Sequence, residues 1–580
     1  MHIEIFSIKR PAEQLPHNKR IGEIIEYSHK TMSQIELKGN GLYSLRPETR
    51  RYYQWKQNIS WSKEAIIENY RRAADYYELT GDIVNALKYY KKANASQRIK
   101  ELLIKNASVH PGVGHYVEIK EYYLALPEDE IKEFPVLIAE MSMMYDLILM
   151  PDKSEKWRKV LSAFCENKSY SKERRREARS WLAYLDISLP HKGTKGILGT
   201  MRKVFTLIKR GDIVLPELCT TGNLPSIMNG SLDFCEWSKN DIQIARFMEK
   251  SLEAILGRYG KGLITIALAE SGFEKGTMST YEVITRCNDG FEAAAHGGRI
   301  ETCFVAVGIQ IRQHIAEGQL PSAKRVYESF YEKAENEKAT HLKQNLEALW
   351  AWLSLFGGAY DVINGFIEKT PEIRTFFCSF DRYRQLVKLR CLIAENRLDE
   401  AFDLASFMES YLVSYERHFC WMETVLLKSI ILYRMEDAHF KEYLIKALRK
   451  ASEYHFVKLI ALEGAAVMPL LEALMADDSV HEIDSEFFSQ VYSECLKTAT
   501  IYPDYMHFIP KKKVTLTNRE AQVLSMLCIG LTTNEICHKL KISYDGLKKH
   551  NRNIYKKLDV KSRAEAERKA VQLGLVHLGY

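Results

Sequence analysis

The chain is 580 residues long, 27% of them charged and 46% hydrophobic, with a formal net charge of +7. That length builds a large core and holds roughly four domains of ordinary size, although repeat architectures escape the estimate. Eleven cysteines, an odd number scattered from Cys165 to Cys537 with no Cys-x-x-Cys pair, exclude a disulfide frame or a zinc site and point to reduced, packed thiols. The N-terminus lacks the apolar core of a signal peptide. The longest apolar stretch, residues 134–150, carries Glu140 and Asp146 and is too short to span a bilayer, so a soluble, cytoplasmic chain without membrane contact is expected.

The charge is unevenly placed. From Lys511 to Tyr580 there are 15 Lys and Arg against 6 Asp and Glu, which leaves 67 against 69 in the preceding residues. A basic tail on an electrically balanced body is the distribution of a nucleic-acid-binding module joined to a domain with another task.

Residues 1–60 are broken by Pro11, Pro16, Gly39, Gly41 and Pro47, and residues 41–52 read as a short strand leading into a helix. From residue 61 to about 500 the pattern is that of stacked helix pairs. Ile66, Tyr70, Ala73, Ala74 and Tyr77 mark one helix face, Gly81 breaks it, and Ala86, Leu87, Tyr90 and Ala93 mark the next. The turn residue and the next helix's Ala are five apart, an offset that returns at Gly318 with Ala323 and at Asn396 with Ala401. Gly276 with Tyr281 and Met435 with Phe440 are looser copies. Such recurrence predicts tetratricopeptide-like repeats, which stack into a superhelix with a long concave surface suited to a small-molecule or peptide ligand. The paired tyrosines at 76 and 77, 89 and 90, and 122 and 123, with Trp350, Trp352 and Trp421, either line that groove or pack the core. Residues 501–515, with Pro503, Pro510 and Lys511 to Lys513, read as a linker.

Residues 516–580 carry the most specific signals. Thr517 with Glu520, Thr532 with Glu535 and Ser562 with Glu565 are capping-box patterns, and Ser543 is a fourth N-cap, so four short helices are expected. Val523, Leu524, Leu527 and Cys528 share one face of the first helix, and Ile536 and Leu540 one face of the second. The third carries Leu547, Ile554 and Leu558 on one side and Lys548, Lys549, Arg552 and Lys556 around the rest. A short helix, a turn and a basic helix form a shape that fits the major groove of B-DNA.

The words Leu-Thr-Asn-Arg-Glu (516 to 520), Gly-Leu-Thr-Thr-Asn-Glu-Ile (530 to 536), Lys-Lys-His (548 to 550), Asn-Ile-Tyr-Lys-Lys-Leu (553 to 558) and Ser-Arg-Ala-Glu-Ala (562 to 566) resemble the LuxR-type helix-turn-helix. The resemblance implies that Lys548, Lys549 and Arg552 reach base edges and that His550 and Asn534 touch phosphates, with Thr533 and Lys556 completing the DNA-binding set. The family opens its recognition helix with Thr-Val-Lys-x-His, whereas this chain has Gly546-Leu547-Lys548-Lys549-His550. The departure removes a hydroxyl at Gly546 and places a glycine in a helix at a cost of about 1 kcal/mol. In the body, residues 71–77 with Gly81-Asp82, residues 126–135 and residues 268–276 resemble the sensor part of large maltose-activator-like regulators, and residues 41–52 the end of their winged-helix segment. On this reading the N-terminal segment is a winged-helix remnant; otherwise it is an irregular cap on the repeats. The resemblance also implies an upstream nucleotide-binding ATPase domain, which no Gly-x4-Gly-Lys-Ser/Thr motif in this sequence supplies.

No Gly-x-Ser-x-Gly, His-Glu-x-x-His or glycine-rich dinucleotide turn is present, and His418 with Cys420, or Cys537 with His538, cannot pair as nucleophile and base at those spacings. The expectation is therefore a non-enzymatic, cofactor-free, all-α transcription regulator. It combines a tetratricopeptide-like sensor body (61–500) with a four-helix LuxR-type tail (516–580), binds duplex DNA as a homodimer and works with RNA polymerase as an activator. Ala566, Ala570 and Leu573 on the last helix either supply the pairing contact of the tail or pack inward. The alternative is an interaction scaffold with a degenerate tail, motivated by Gly546.

Overall fold

A computed structural model describes residues 61–109, 118–373, 377–477, 479–507, 516–558, 560 and 562–572, together with residues 6–7, 35–39, 42–45 and 55. The chain divides into two units, Met1–His507 and Phe508–Tyr580. Among the described residues both are all-α apart from three short strands at the N-terminus, Phe6–Ser7, Ile35–Gly39 and Leu42–Leu45. These form an antiparallel sheet with Leu42–Leu45 in the middle and a register shift between Leu37 and Gly39. The strand expected after Gly41 is thus present, while most of the segment that would distinguish a cap from a winged-helix remnant lies outside the described residues.

The body is built of helix pairs. Lys63–Leu79 begins at Ser62, whose hydroxyl accepts the Ala65 amide at 3.2 Å, and ends before Gly81, which takes φ +81°. Ile83–Lys92 follows, with Ala86 at its fourth position and fully buried. Gly318 (φ +74°) before Leu320–Asn336, and Asn396 (φ +56°) before Leu398–Ser414, repeat the arrangement, with Ala323 and Ala401 also fully buried at the fourth position. A left-handed turn residue followed by a small side chain where two helices touch is the physical content of the five-residue offset.

The two looser copies depart from it. Tyr281 is exposed, because Thr280–Ala295 starts two residues later after its turn and Val283 occupies the buried fourth position. At the other, the left-handed residue is Glu436 (φ +60°) and not Met435, and Phe440 begins its helix. The residues that open the expected linker belong to the body: Ser485–Ile501 runs through residue 501, and Tyr502, Tyr505 and Met506 are buried. Residues 508–515, including Lys511 to Lys513, lie outside the described residues.

The first helix of each central pair is buried all round. Every residue is buried from 301 to 311 in Ile300–Ala316, from 384 to 394 in Arg382–Ala394 and from 424 to 432 in His418–Arg434. One side of each packs on its partner helix. The other meets an irregular internal segment, of which residues 218–230 are all buried without a single helical turn. Buried irregular backbone must find partners for its amides and carbonyls, and here the inner helices supply them. Arg382, fully buried, donates through Nε to Asn229 Oδ1 at 2.7 Å and through Nη2 to the carbonyls of Asn229, at 2.9 Å, and Gly230, while Nη1 reaches Ser379. Arg417 donates to the carbonyls of Gly230, at 3.1 Å, and Ser231. Glu270 accepts the amides of Ile227 and Met228 at 2.7 and 3.1 Å, and Asn345 donates to the Asn223 carbonyl at 2.8 Å. Gly308 lets the segment approach, since a Cβ there would collide with the Pro225 carbonyl. The inner faces of these helices are thus covered by a segment of the chain itself.

The aromatic candidates divide accordingly. Tyr89, Tyr90 and Tyr123 are core residues, Tyr77 stacks on Tyr89 at 5.4 Å, and Trp350 packs on Tyr327 at 5.0 Å. Trp421 is half-buried against the core and Tyr76 is exposed. Trp352 lines an interior cavity.

Candidate nucleic-acid interface

The second unit has its own core. Val523, Leu524 and Leu527 from Asn518–Cys528, Ile536 and Leu540 from Thr533–Leu540, Leu547, Ile554 and Leu558 from Tyr544–Leu558, and Ala566 and Ala570 from Arg563–Gln572 are all buried together. Local chemistry sets the helix starts. Thr517 with Glu520 and Thr532 with Glu535 form complete capping boxes, Ser543 accepts the Gly546 amide at 3.2 Å, and Ser562 accepts the Glu565 amide at 3.3 Å. Lys541 closes the second helix in the left-handed conformation (φ +50°), and three residues later the third helix begins at Tyr544. Ala566 and Ala570 pack inward, which decides between the two orientations that the sequence leaves open and removes them from any pairing surface. Leu573, the third residue of that set, lies outside the described residues.

The third helix of the unit presents the candidate face. At 100° per residue, Lys549, Arg552 and Lys556 project away from the side formed by Leu547, Ile554 and Leu558, and all three are exposed. Lys548 is exposed on one flank, and His550 is half-buried on the other. Thr533 and Asn534 are exposed in the first turn of the preceding helix. Among the described residues none of Lys548, Lys549, Arg552 and Lys556 enters an ion pair.

Three other cations of the unit, Lys557, Arg563 and Arg519, are committed internally. Lys557 bonds Glu520 at 2.7 Å, joining the third helix to the first, and Arg563 bonds Glu567 at 2.6 Å and the Leu527 carbonyl at 2.9 Å. Arg519 donates to the Leu540 carbonyl at the turn. Burial pushes the Glu520 carboxyl up, but its bonds from Lys557 and the Thr517 amide overcome that and hold it below the ordinary range. Asn553, exposed in the same arc as Lys549, Arg552 and Lys556, belongs to the candidate face, and the basic pattern by itself misses it; helical periodicity is the signal that finds it. A short helix, a left-handed turn and a helix with one cationic, solvent-facing side have the dimensions and donors to follow a major groove.

Residues 514–570 match the family described as bacterial regulatory proteins, luxR family. The C-terminal unit is a LuxR-type helix-turn-helix domain. The chain is also similar to the HTH-type transcriptional regulator MalT of Serratia proteamaculans, at 27% identity over 175 residues, covering 27% of this chain and 19% of that protein. MalT of Yersinia pestis and of Yersinia pseudotuberculosis is 26% identical over the same shares. An alignment of that length covers more residues than the LuxR-type match, yet it spans only 19% of the relatives' length.

No described helix is long and apolar enough to cross a membrane. Among the described residues no group of three or more His, Cys, Asp and Glu side chains is placed to hold a metal ion.

Proposed function

We propose that the protein is a sequence-specific, DNA-binding transcriptional regulator whose helical body senses a ligand or a partner. The observation that carries the reading is the exposed row of Lys549, Arg552 and Lys556, flanked by Lys548, on a helix whose opposite side is locked into the domain core. Lys and Arg donate to guanine O6 and N7 in the major groove, while Asn534, Thr533 and His550 hold phosphates at the edges. The relatives' designation as transcriptional regulators supports the same role.

One four-helix domain contacts a half-site, so the protein binds as a homodimer across a two-fold axis, through a surface other than Ala566 and Ala570. Cytoplasmic location, cooperation with RNA polymerase and activation of transcription follow from the same reading. Lys548, Lys549 and Arg552 replaced together by Ala abolish operator binding, with about 1–3 kcal/mol lost at each base-specific contact. Each phosphate contact removed lowers the slope of log affinity against log salt by about 0.9. A salt titration of operator binding by the full chain measures both, and unchanged affinity in the triple variant overturns the site.

A further inference from the structure

One ion-pair cluster in the interior of the body holds more carboxylates than cations. Arg312 pairs with Glu270 at 2.6 Å and with Glu274, and Arg390 pairs with Glu463 at 2.6 Å and Glu423 at 3.0 Å. Four carboxylates thus share two guanidiniums in a low-dielectric interior, where a surplus charge is costly. Two of the four are fully engaged. The second oxygen of Glu270 accepts the Ile227 and Met228 amides, and that of Glu463 accepts the Tyr505 hydroxyl at 2.9 Å. Glu274 differs: it is 1% exposed, its Oε2 is buried without a hydrogen-bond partner, and it lines a cavity.

The same cavity, of about 60 Å³, is lined by Glu423, by the rings of Trp352, Tyr383 and Phe419, and by Ser226 and Asn229 of the internal segment. A volume of that order holds a few water-sized groups and excludes a peptide or an oligosaccharide. Carboxylates set against aromatic rings recognise a cation that carries carbon. A bare metal ion fits less well, since no described set of three ligating side chains converges anywhere in the chain.

We propose that this cavity binds a small organic cation, a primary ammonium on a short carbon chain, held between Glu274 and Glu423 against Trp352, Tyr383 and Phe419. The inference rests on the reading of the body as a sensor and names the class of its ligand. Occupancy bears directly on the internal segment, because Ser226 and Asn229 form one wall and Glu270, one turn from Glu274, fixes the amides between them. Burial pushes the Glu274 carboxyl up to about 7, with Arg312 opposing and Glu270 and Glu423 adding to the rise. Burial also raises Glu423. The other groups facing the site keep their charge state near neutrality: the Tyr383 and Tyr505 phenols are raised by burial, and Arg312 and Arg390 are held protonated by their carboxylates. A bound ammonium therefore replaces a proton on Glu274.

The test is calorimetric titration and thermal unfolding of the full chain with ethylamine and putrescine, and with ethylene glycol and acetate as neutral and anionic probes. The amines alone give a saturable stabilisation, and their affinity rises by up to about tenfold per pH unit below the Glu274 value and levels off above it. Glu274→Gln weakens amine binding by about tenfold or more and flattens the pH dependence, while the unliganded melting temperature holds or rises. Should that variant fail to fold, Glu423→Gln in the same titration must show the loss of amine affinity. Unchanged amine affinity in a folded variant, or no response to any probe, overturns the proposal. An equal response to glycol and amines overturns the cation while leaving the sensor role standing. Operator binding by the LuxR-type domain, measured on the same protein, is independent of all these outcomes.

Discussion

Arg382 in the body and Arg552 in the C-terminal domain show two uses of the same side chain. The first is fully buried and gives its donors to Asn229, Gly230 and Ser379, pinning an irregular segment inside the body. The second stands in solvent on the face opposite its domain's core, without an ion pair among the described residues. Charges taken out of water must be answered by partners within the fold, so the body's inner cations are structural. Charges left in water contribute little to stability and remain available to a polyanion. Lys557 sharpens the contrast, since it sits on the same helix as Arg552 but is spent on Glu520.

The largest effect that tests this division is at Arg382. Arg382→Ala orphans several buried carbonyls and opens a void, so the body loses about 3–5 kcal/mol. All eight tryptophans precede residue 508, so urea unfolding followed by tryptophan fluorescence reports on the body alone. Operator affinity of the folded variant stays near the parent value; a parallel loss would show that the two kinds of arginine are not separable.

A smaller effect is expected at Lys557. Lys557→Met costs the C-terminal domain about 1–2 kcal/mol, read as faster amide hydrogen exchange in residues 518–558, with the salt slope of DNA binding unchanged. The corresponding pH dependence has a definite sign. Because the folded Glu520 carboxyl lies below its unfolded value of about 4.3, its contribution is complete above that pH and is lost as pH falls through the lower folded value. In Lys557→Met that acid sensitivity is reduced.

The smallest effect concerns Gly546, where an added Cβ would meet Ser543 Oγ at 3.3 Å, a contact that a slight shift of the serine side chain relieves. Gly546→Ala stabilises the domain by about 0.5–1 kcal/mol through helix propensity. The same hydrogen-exchange measurement detects it. A destabilised variant would mean that the Ser543 cap cannot yield.

The helix starts of the C-terminal domain were readable from residues because a capping box is a contact between positions three apart, and no distant partner alters it. The five-residue offsets at Gly81, Gly318 and Asn396 were readable for a similar reason, a left-handed turn and a close helix contact within one pair. The offset failed at Tyr281 because the turn before that helix is longer, which shifts the buried position to Val283. Ala566 and Ala570 were ambiguous, since a small apolar residue suits either a core or a pairing surface; packing against the other three helices settled it. Asn553 escaped because it carries no charge, although its place on the helix is fixed by periodicity.

Nothing local marks residues 218–230 as interior. One proline, two glycines and two asparagines make the stretch look like an ordinary surface loop, and its burial depends on side chains as remote in sequence as Glu270, Asn345, Arg382 and Arg417. The four carboxylates around Arg312 and Arg390 likewise come from remote parts of the chain, Glu270 and Glu274 from one helix, Glu423 from a second and Glu463 from the start of a third, and acquire their surplus charge only when those helices converge. The sequence by itself determined the helices, their caps, the repeat and the basic face, all of which follow from neighbours within one or two turns. Only the tertiary structure decided what fills the centre of the repeat and which charges are enclosed there, because desolvation is set by every chain segment that converges on a point, and order along the chain does not record that convergence.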